Sequence, residues 1–462
     1  MADEDKRPSL RVVDDPREPW LGPNWPITSE AVVEVFQRKH DGQFYFIDVA
    51  TEFYEWTGHV WQRDERRSVN RLMAALCREI GANKKKTARS KIESANFIYG
   101  AAHRVRDEVA GSIAVFDQSP VLNTTIAGVD LSGSEWITAL PRREDFCSKM
   151  TAYAAVAGPC PQWMEFLKRV TDGDGDMVDY LQRVAGYCLT PFVNEQAFFF
   201  FYGTGGNGKG TFLRVLKAVL GDYAAAASLD LFLATRFEQH TEELAALRAL
   251  RLVIATETEA NRNWNESKIK VLTGGDPIRA RFMRQNSFEY QPQFKIIVSG
   301  NHKPTLKIAD PAMRRRLHVV PFLVAIPIEQ QDGTLEHRMI AAEGAQILAW
   351  ALDGFNHWRA HGLAPPTKVI GATDEYFQDQ DLLQQWLDAR CEVAVGLGLI
   401  SSTLLFHDWQ GFCKAAGEDP GSQKAFVEAL EGKGMVRDRS NCARGFRGIT
   451  LRSKLEADLY DP

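Results

Sequence analysis

The sequence predicts an α/β protein built on a mainly parallel sheet, and three observations predict it. A buried-strand run, AFFFFYG from Ala197 to Gly203, passes through a glycine-rich loop into the helical stretch TFLRVLKAVLG. Apolar strands and helices then alternate to about Phe322, the pattern in which crossover helices cover a parallel sheet. Residues 330–390 keep helical spacing, and the tail, 400–452, reads helix, helix, then a Gly-broken strand pair, a small winged-helix-like pattern.

Composition bounds the remaining choices. The 462 residues, 45% hydrophobic and 25% charged, suffice for two to four domains with a large core. The first residues, MADEDKRPSL, are charged, unlike a secretory signal. The longest apolar run, Ala197 to Phe201, is too short to cross a bilayer. Seven cysteines without a C-x-x-C pair fit neither a disulfide framework nor a zinc site, so a reducing, cytoplasm-like compartment and no membrane partner are expected. A net charge of −5 argues against a protein coated in nucleic acid, but leaves room for a channel with local basic groups.

Along the chain, residues 1–30 are expected to form a flexible leader and 31–192 an N-terminal α+β domain. Within it, QFYFIDV and FYEWTGHVWQ look like strands, and 68–110 is helical with Lys84, Lys85 and Lys86 at a helix end or loop. WMEFLKRV and MVDYLQRVAGY are amphipathic helices split by the turn DGDGD, which lacks the ligand pattern of a calcium loop. Residues 193–370 hold the α/β domain and 371–462 the helical, winged-helix-like end.

The sharpest motif is GTGGNGKGT: Gly203, Thr204, Gly205, Gly206, Asn207, Gly208, Lys209, Gly210 and Thr211, running into Phe212. It follows a strand and opens a helix, as a phosphate-binding loop requires. Glycines let backbone N–H groups curl around an anion, and the helix end adds its positive dipole. Lys209 is placed to reach the β- and γ-phosphates of ATP. Gly210 stands where a Ser or Thr usually holds Mg²⁺, which leaves Thr211 to supply the hydroxyl.

The segments that follow supply what a phosphoryl-transfer site needs. RLVIATETE ends a β-rich run in Glu257 and Glu259, candidates for metal and attacking water. After the turn cluster TGGDP, Arg279, Arg281 and Arg284 mix with Phe282 and Met283 around a hairpin tip that includes Gln285, a pattern suited to tracking a nucleic-acid backbone. FKIIVSGN ends in Asn301, whose amide can sense a γ-phosphate. Arg314, Arg315 and Arg316 precede another apolar strand, and an arginine there can stabilise transition-state charge on a neighbouring subunit.

Phosphate loop, acidic strand, TGGD segment, strand ending in Asn and terminal Arg-Arg occur in that order within about 120 residues. This order resembles the superfamily 3 helicases, specifically the helicase part of phage and plasmid primase-helicases and of the poxvirus primase-helicase. The likeness extends over roughly residues 40 to 450, through LKRVTDGDGDMVDYLQRVAGYCLT and the GFRGITL ending. The resemblance implies a modified AAA+ P-loop ATPase domain of αβα layers, an N-terminal helicase-associated domain and a C-terminal winged helix. It implies ATP and Mg²⁺ as cofactors, and a hexameric homo-oligomer moving 3′ to 5′ on single-stranded and forked DNA in phage, plasmid or mobile-element replication, in the cytoplasm of a bacterial host. It assigns phosphate binding to Lys209, the metal position to Thr211 with Gly210, and metal and water to Glu257. Asn301 is its sensor, Arg316 with Arg315 its trans-acting finger, and Arg281 to Asn286, with Met283, Arg284 and Gln285, its DNA-tracking hairpin. With about 40 residues before the helicase-associated domain, a stand-alone helicase or a separately encoded primase is expected. Two alternatives share the loop. A small-molecule P-loop kinase leaves the TGGD segment and basic hairpin unexplained, whereas an origin-binding or loading ring ATPase uses the same parts without processive unwinding.

Overall fold

Four successive phenylalanines suit a strand covered on both faces, and Phe198–Tyr202 is such a strand. A computed structural model of the chain describes residues 18–22, 24–234, 241–256, 262–306, 311–416, 419–439 and 444–452. The chain divides into two compact units, Met1–Pro304 with Arg316–Val369, and Thr305–Arg315 with Ile370–Pro462.

The first unit opens on α1 (Ser29–Lys39), with β1 (Phe44–Ile47), β2 (Glu52–Trp56) and β3 (Trp61–Arg63) as an antiparallel set. Helices α2 (Ser68–Ala82), α3 (Lys86–Ile92) and α4 (Ala95–Glu108) follow, and β4 (Ala110–Gly111) pairs with β1. The expected strands and helices are all present here, and Lys84 and Lys85 lie in the α2–α3 turn. The end of the predicted leader is not loose. Trp20 is buried against α1 and α2 residues, with Trp25 and Ile27 packed on the same cluster, because a large apolar ring gains more from burial than from water. Residues 1–17 and Pro23 lie outside the described residues.

A small sheet of β5 (Val121–Asn123), β6 (Gly128–Asp130) and β7 (Ile137–Ala139) precedes α5 (Pro161–Val170) and α6 (Gly175–Cys188). The buried Glu343 carboxylate holds the start of α5, accepting from Gln162 N at 3.0 Å and Trp163 N at 2.9 Å.

The large sheet then assembles from β8 (Phe198–Tyr202), β9 (Ala224–Ala226), β10 (Leu252–Thr256), and, further on, β13 (Lys295–Gly300) and β14 (Leu317–Pro321). Between them come α7 (Lys209–Leu220), α8 (Thr241–Ala246), α9 (Glu266–Gly274), and the hairpin β11 (Ile278–Arg281) with β12 (Ser287–Tyr290). The order across the sheet is β14-β8-β13-β10-β9, all parallel. The fold is therefore mixed α/β with a parallel sheet, as predicted. The chain leaves β8 towards β9 at one edge and leaves β13 towards β14 at the other. Between the C-terminal ends of β8 and β13 the connections thus depart in opposite directions, the place where open α/β sheets bind ligands.

Helix α11 (Leu335–His361) packs on α6 with backbones in contact: a Cβ added at Gly354 would lie 2.1 Å from Gln182 O, and one at Gly186 would lie 2.1 Å from Phe355 N. At the opposite, N-terminal edge of the sheet two buried cations tie it to the chain after α6. Arg251 donates to Leu189 O and Val121 O, and Lys295 to Thr190 O and Phe192 O. Both sit against carbonyls at or just beyond a helix C-terminus, where positive charge is favoured.

The second unit contains α10 (Pro311–Arg314), most of α12 (Thr367–Gln380), α13 (Leu382–Arg390), β15 (Cys391–Val393), β16 (Leu399–Ser401), α14 (Ser402–Ala416), α15 (Gln423–Gly432), and β17 (Val436–Arg439), β18 (Arg444–Arg447) and β19 (Ile449–Leu451). The predicted helix, helix, strand-pair tail is found; the short strands β15 and β16 were not anticipated. They complete two small sheets, β16-β18-β17 and β15-β19, around Trp386, Leu405 and Phe446. Among the described residues no helix is long and apolar enough to cross a membrane.

Candidate functional site

The loop after β8 is shaped by its glycines. Gly205, Gly206 and Gly208 adopt φ of 104°, 60° and 84°, and Gly208 caps α7. A Cβ at Gly203 would fall 2.2 Å from Phe322 O, and one at Gly208 2.4 Å from Val170 Cγ1 of α5. The loop is thus folded down onto the end of β14 and onto α5. Asn207 holds it there: buried, it donates from Nδ2 to Phe322 O at 2.8 Å.

Lys209 opens α7 and is itself buried. Its Nζ donates to Gly203 O at 2.7 Å, to Asn207 Oδ1 at 3.0 Å and to Asn301 Oδ1 at 3.3 Å. Asn301 follows directly on β13, beside β8, so the sequence-predicted lysine and amide meet at the C-terminal edge of the sheet. Thr256, the last residue of β10, pairs with Ser299, so that strand ends at the same level. Glu257 and Glu259, which follow it, lie outside the described residues.

Beside the loop opens a cavity of about 670 Å³, lined by Gly206, Gly208 and Thr211, by Phe166 and Arg169 of α5, by Arg214, and by parts of 326–338. That volume suits a small-molecule ligand. Thr211 faces this cavity. Gly210 carries no side chain, and the space its Cβ would take is met by Arg214 Nη1 at 2.8 Å. Among the described residues no group of three His, Cys, Asp or Glu side chains could hold a metal. Gly210 itself offers no ligand, and the positive guanidinium beside it disfavours a cation at that point.

Other predicted residues fall differently. Phe212 is fully buried and stacks on Trp163 at 5.4 Å, so it is a core residue with no surface to offer a ligand, and its assignment to cofactor binding is corrected. Thr204, at the loop's crest, is exposed. In the hairpin, Arg281, Met283 and Arg284 are exposed, with Arg284 at φ 58° at the tip. Gln285 turns inward instead: Nε2 donates to Ala50 O at 2.8 Å, and Phe282 stacks on Phe288 at 4.9 Å. Arg316 is 6% exposed, while Arg314 and Arg315 are exposed. Arg314 pairs with Asp374 at 2.7 Å. Arg316 sits at the N-terminal edge of the sheet, its carbonyl accepting from Phe198 N, in line with the buried Lys295. Within this chain its guanidinium has almost no surface to present to a neighbour.

Sequence reading did not single out Glu343, Arg214 or the anchoring role of Asn207. Only Arg214 had a legible signal, its spacing of four from Gly210 on one helix.

Comparison with known proteins bears on this arrangement. Residues 33–172 match the family described as "D5 N terminal like", and 201–316 match "Family of unknown function (DUF5906)". Over 240 residues the chain is 29% identical to "Putative helicase L207/L206" of Acanthamoeba polyphaga mimivirus, covering 48% of this chain and 25% of that protein. Over 307 residues it is 25% identical to "Putative helicase 022R" of Frog virus 3 (isolate Goorha), covering 60% of this chain and 31% of that protein. This chain is similar to viral proteins named as helicases. It spans less than a third of the length of either relative. The solved apo structure of the NrS-1 C terminal region (305-718) aligns with 91% of this chain and 98% of its own, with a TM-score of 0.49 and 12% identity.

Proposed function

We propose that the chain is the ATP-hydrolysing motor of a DNA helicase of superfamily 3, working as a ring of identical subunits and moving 3′ to 5′. The observation that carries this reading is the meeting of Lys209 and Asn301 at the C-terminal ends of adjacent parallel strands, beside a loop whose glycines leave room for phosphate. Lys209 rests on Gly203 O and Asn207 Oδ1. On nucleotide binding it exchanges these carbonyl oxygens for phosphate oxygens, and the Asn301 amide, already beside it, reports the γ-phosphate. The nucleoside lies in the cavity between α5 and the 326–338 segment. Hydrolysis removes the γ-phosphate contacts and lets subunit interfaces shift. The exposed Met283 and Arg284 ride on that shift and carry a DNA backbone with them.

The direct test is DNA-stimulated ATP hydrolysis together with unwinding of forked duplexes bearing a 3′ or a 5′ tail. Unwinding from the 3′ tail is expected. Hydrolysis stimulated by DNA without unwinding on either tail would instead favour an origin-binding or loading role.

Two further outcomes are expected. Burial lowers the Lys209 ammonium from its ordinary 10.5 to about 8. A folded value below the unfolded one means the charged form is penalised in the folded protein below about pH 8, and the penalty fades as pH rises towards 10.5. Phosphate restores the charge, so ATP binding at pH 8 to 9 should take up protons and weaken as pH rises. Calorimetry in two buffers of different ionisation enthalpy measures this, and binding without proton uptake would remove Lys209 from the contact. In the hairpin, Arg284→Asn keeps a residue that tolerates the left-handed backbone while removing the charge. It should spare basal hydrolysis, weaken DNA binding, and reduce the salt dependence of that binding by about one phosphate contact. Unchanged salt dependence would take Arg284 off the DNA.

A further inference from the structure

We propose that Arg214 is a phosphate-binding residue that stands in for the metal-ligating hydroxyl missing at Gly210, so that nucleotide binding here depends only weakly on a divalent cation. The inference rests on the reading of 203–211 as a nucleotide loop.

The geometry comes from α7. Positions four apart share a helix face, and side chains lean towards the helix N-terminus. Arg214 therefore reaches back over the first turn. A Cβ on Gly210 would lie 2.8 Å from Arg214 Nη1, 3.6 Å from Cζ and 3.8 Å from Nη2, so the guanidinium covers the place where a Ser or Thr side chain would begin. The anchor is Glu336 in the first turn of α11: its Oε2 accepts from Arg214 Nε at 2.5 Å. Neither Nη of Arg214 has a hydrogen-bond partner among the described residues. The fork is 60% exposed, on the same cavity that Gly206, Gly208 and Thr211 line.

A guanidinium cannot ligate a cation and repels one. It binds phosphate oxygens through two parallel N–H donors. Where a hydroxyl would recruit a metal to neutralise the phosphates, this chain supplies a fixed positive charge. Glycine at 210 is what admits it, since any side chain there would push the guanidinium aside.

The test is ADP and ATP affinity, with Mg²⁺ and with EDTA, for wild type, Arg214→Ala, Arg214→Lys, Gly210→Ser and Lys209→Ala. Wild type should bind in EDTA within about tenfold of its affinity in Mg²⁺, and Arg214→Ala should lose about 10- to 100-fold in EDTA, the scale of a charged hydrogen bond. Lysine should restore only part, lacking the fork. Gly210→Ser should displace the guanidinium and make binding metal-dependent. Circular dichroism confirms folding, which an exposed arginine does not support. Equal binding by Arg214→Ala and wild type in EDTA overturns the proposal, as does a wild type that binds only with Mg²⁺. Loss of binding in Lys209→Ala alongside an unaffected Arg214→Ala sinks this inference alone. A wild type that binds no nucleotide under either condition, or a Lys209→Ala that binds as well as wild type, sinks the loop reading instead.

Discussion

Lys209→Ala should weaken nucleotide binding strongly and cut hydrolysis by roughly 10²-fold or more, because it removes the ammonium that opens the helix on which the phosphates are seated. Lys209 is buried, and its three hydrogen-bond partners are Gly203 O, Asn207 Oδ1 and Asn301 Oδ1. The substitution removes a desolvated charge, which stabilises, and leaves three acceptors without that donor, which destabilises. Asn301 is exposed, so water can replace the ammonium at that acceptor. The two effects largely offset, and unfolding free energy should stay within about 1 kcal/mol of wild type. Urea denaturation at neutral pH checks the second expectation and steady-state hydrolysis the first. Full hydrolysis by a folded Lys209→Ala would remove the loop from the chemistry. Asn207→Ala offers a contrast. Its amide holds the loop to Phe322 O, so it should lower both stability and nucleotide affinity, where Lys209→Ala lowers affinity alone.

The parts of the site that the sequence disclosed are those that chain-local chemistry determines. The loop's glycines, the strand before it and the helix after it follow from φ requirements and hydrophobic period, and the structure has them where the spacing puts them. Likewise Asn301 ends a run built on Ile296, Ile297 and Val298, so its amide emerges at a strand end. What stayed hidden depends on which strands lie side by side. Nothing local says that β13 rather than β9 sits next to β8, yet that adjacency is what brings Asn301 to Lys209. Phe212 looked like part of the loop because it is adjacent in sequence; a helix turns it away into the core against Trp163. The pairing of Arg214 with Glu336 joins residues 122 apart. The same blindness affects three consecutive arginines at a helix-to-strand junction. Their charges read alike, but Arg314 and Arg315 are exposed and Arg316 is buried.

That junction decides the other large effect. Arg316 accepts from Phe198 N at the start of β8, and the loop leaves the far end of that strand, four residues and about 13 Å away. An arginine at this edge cannot serve its own subunit's phosphates, so a catalytic role must be exercised on a neighbour. Arg316 is buried, and Arg315 is exposed. We therefore expect the finger at Arg315, with Arg316 packed within its own subunit. Arg315→Ala should lower hydrolysis by roughly 10²- to 10³-fold with unchanged thermal unfolding and nearly unchanged ATP affinity. Arg316→Ala should lower unfolding free energy by about 2–4 kcal/mol, as loss of a large buried side chain does. The decisive measurement is mixing. A ring of equal parts Arg315→Ala and Lys209→Ala places an intact lysine opposite an intact arginine at about one interface in four, through its head-to-tail contacts. Activity should recover towards that fraction, though each variant alone is nearly inactive. If mixed rings form and recover nothing, the arginine does not act across the interface. If Arg315→Ala is fully active while Arg316→Ala folds normally and loses hydrolysis, the finger is Arg316, and its side chain must become exposed on assembly.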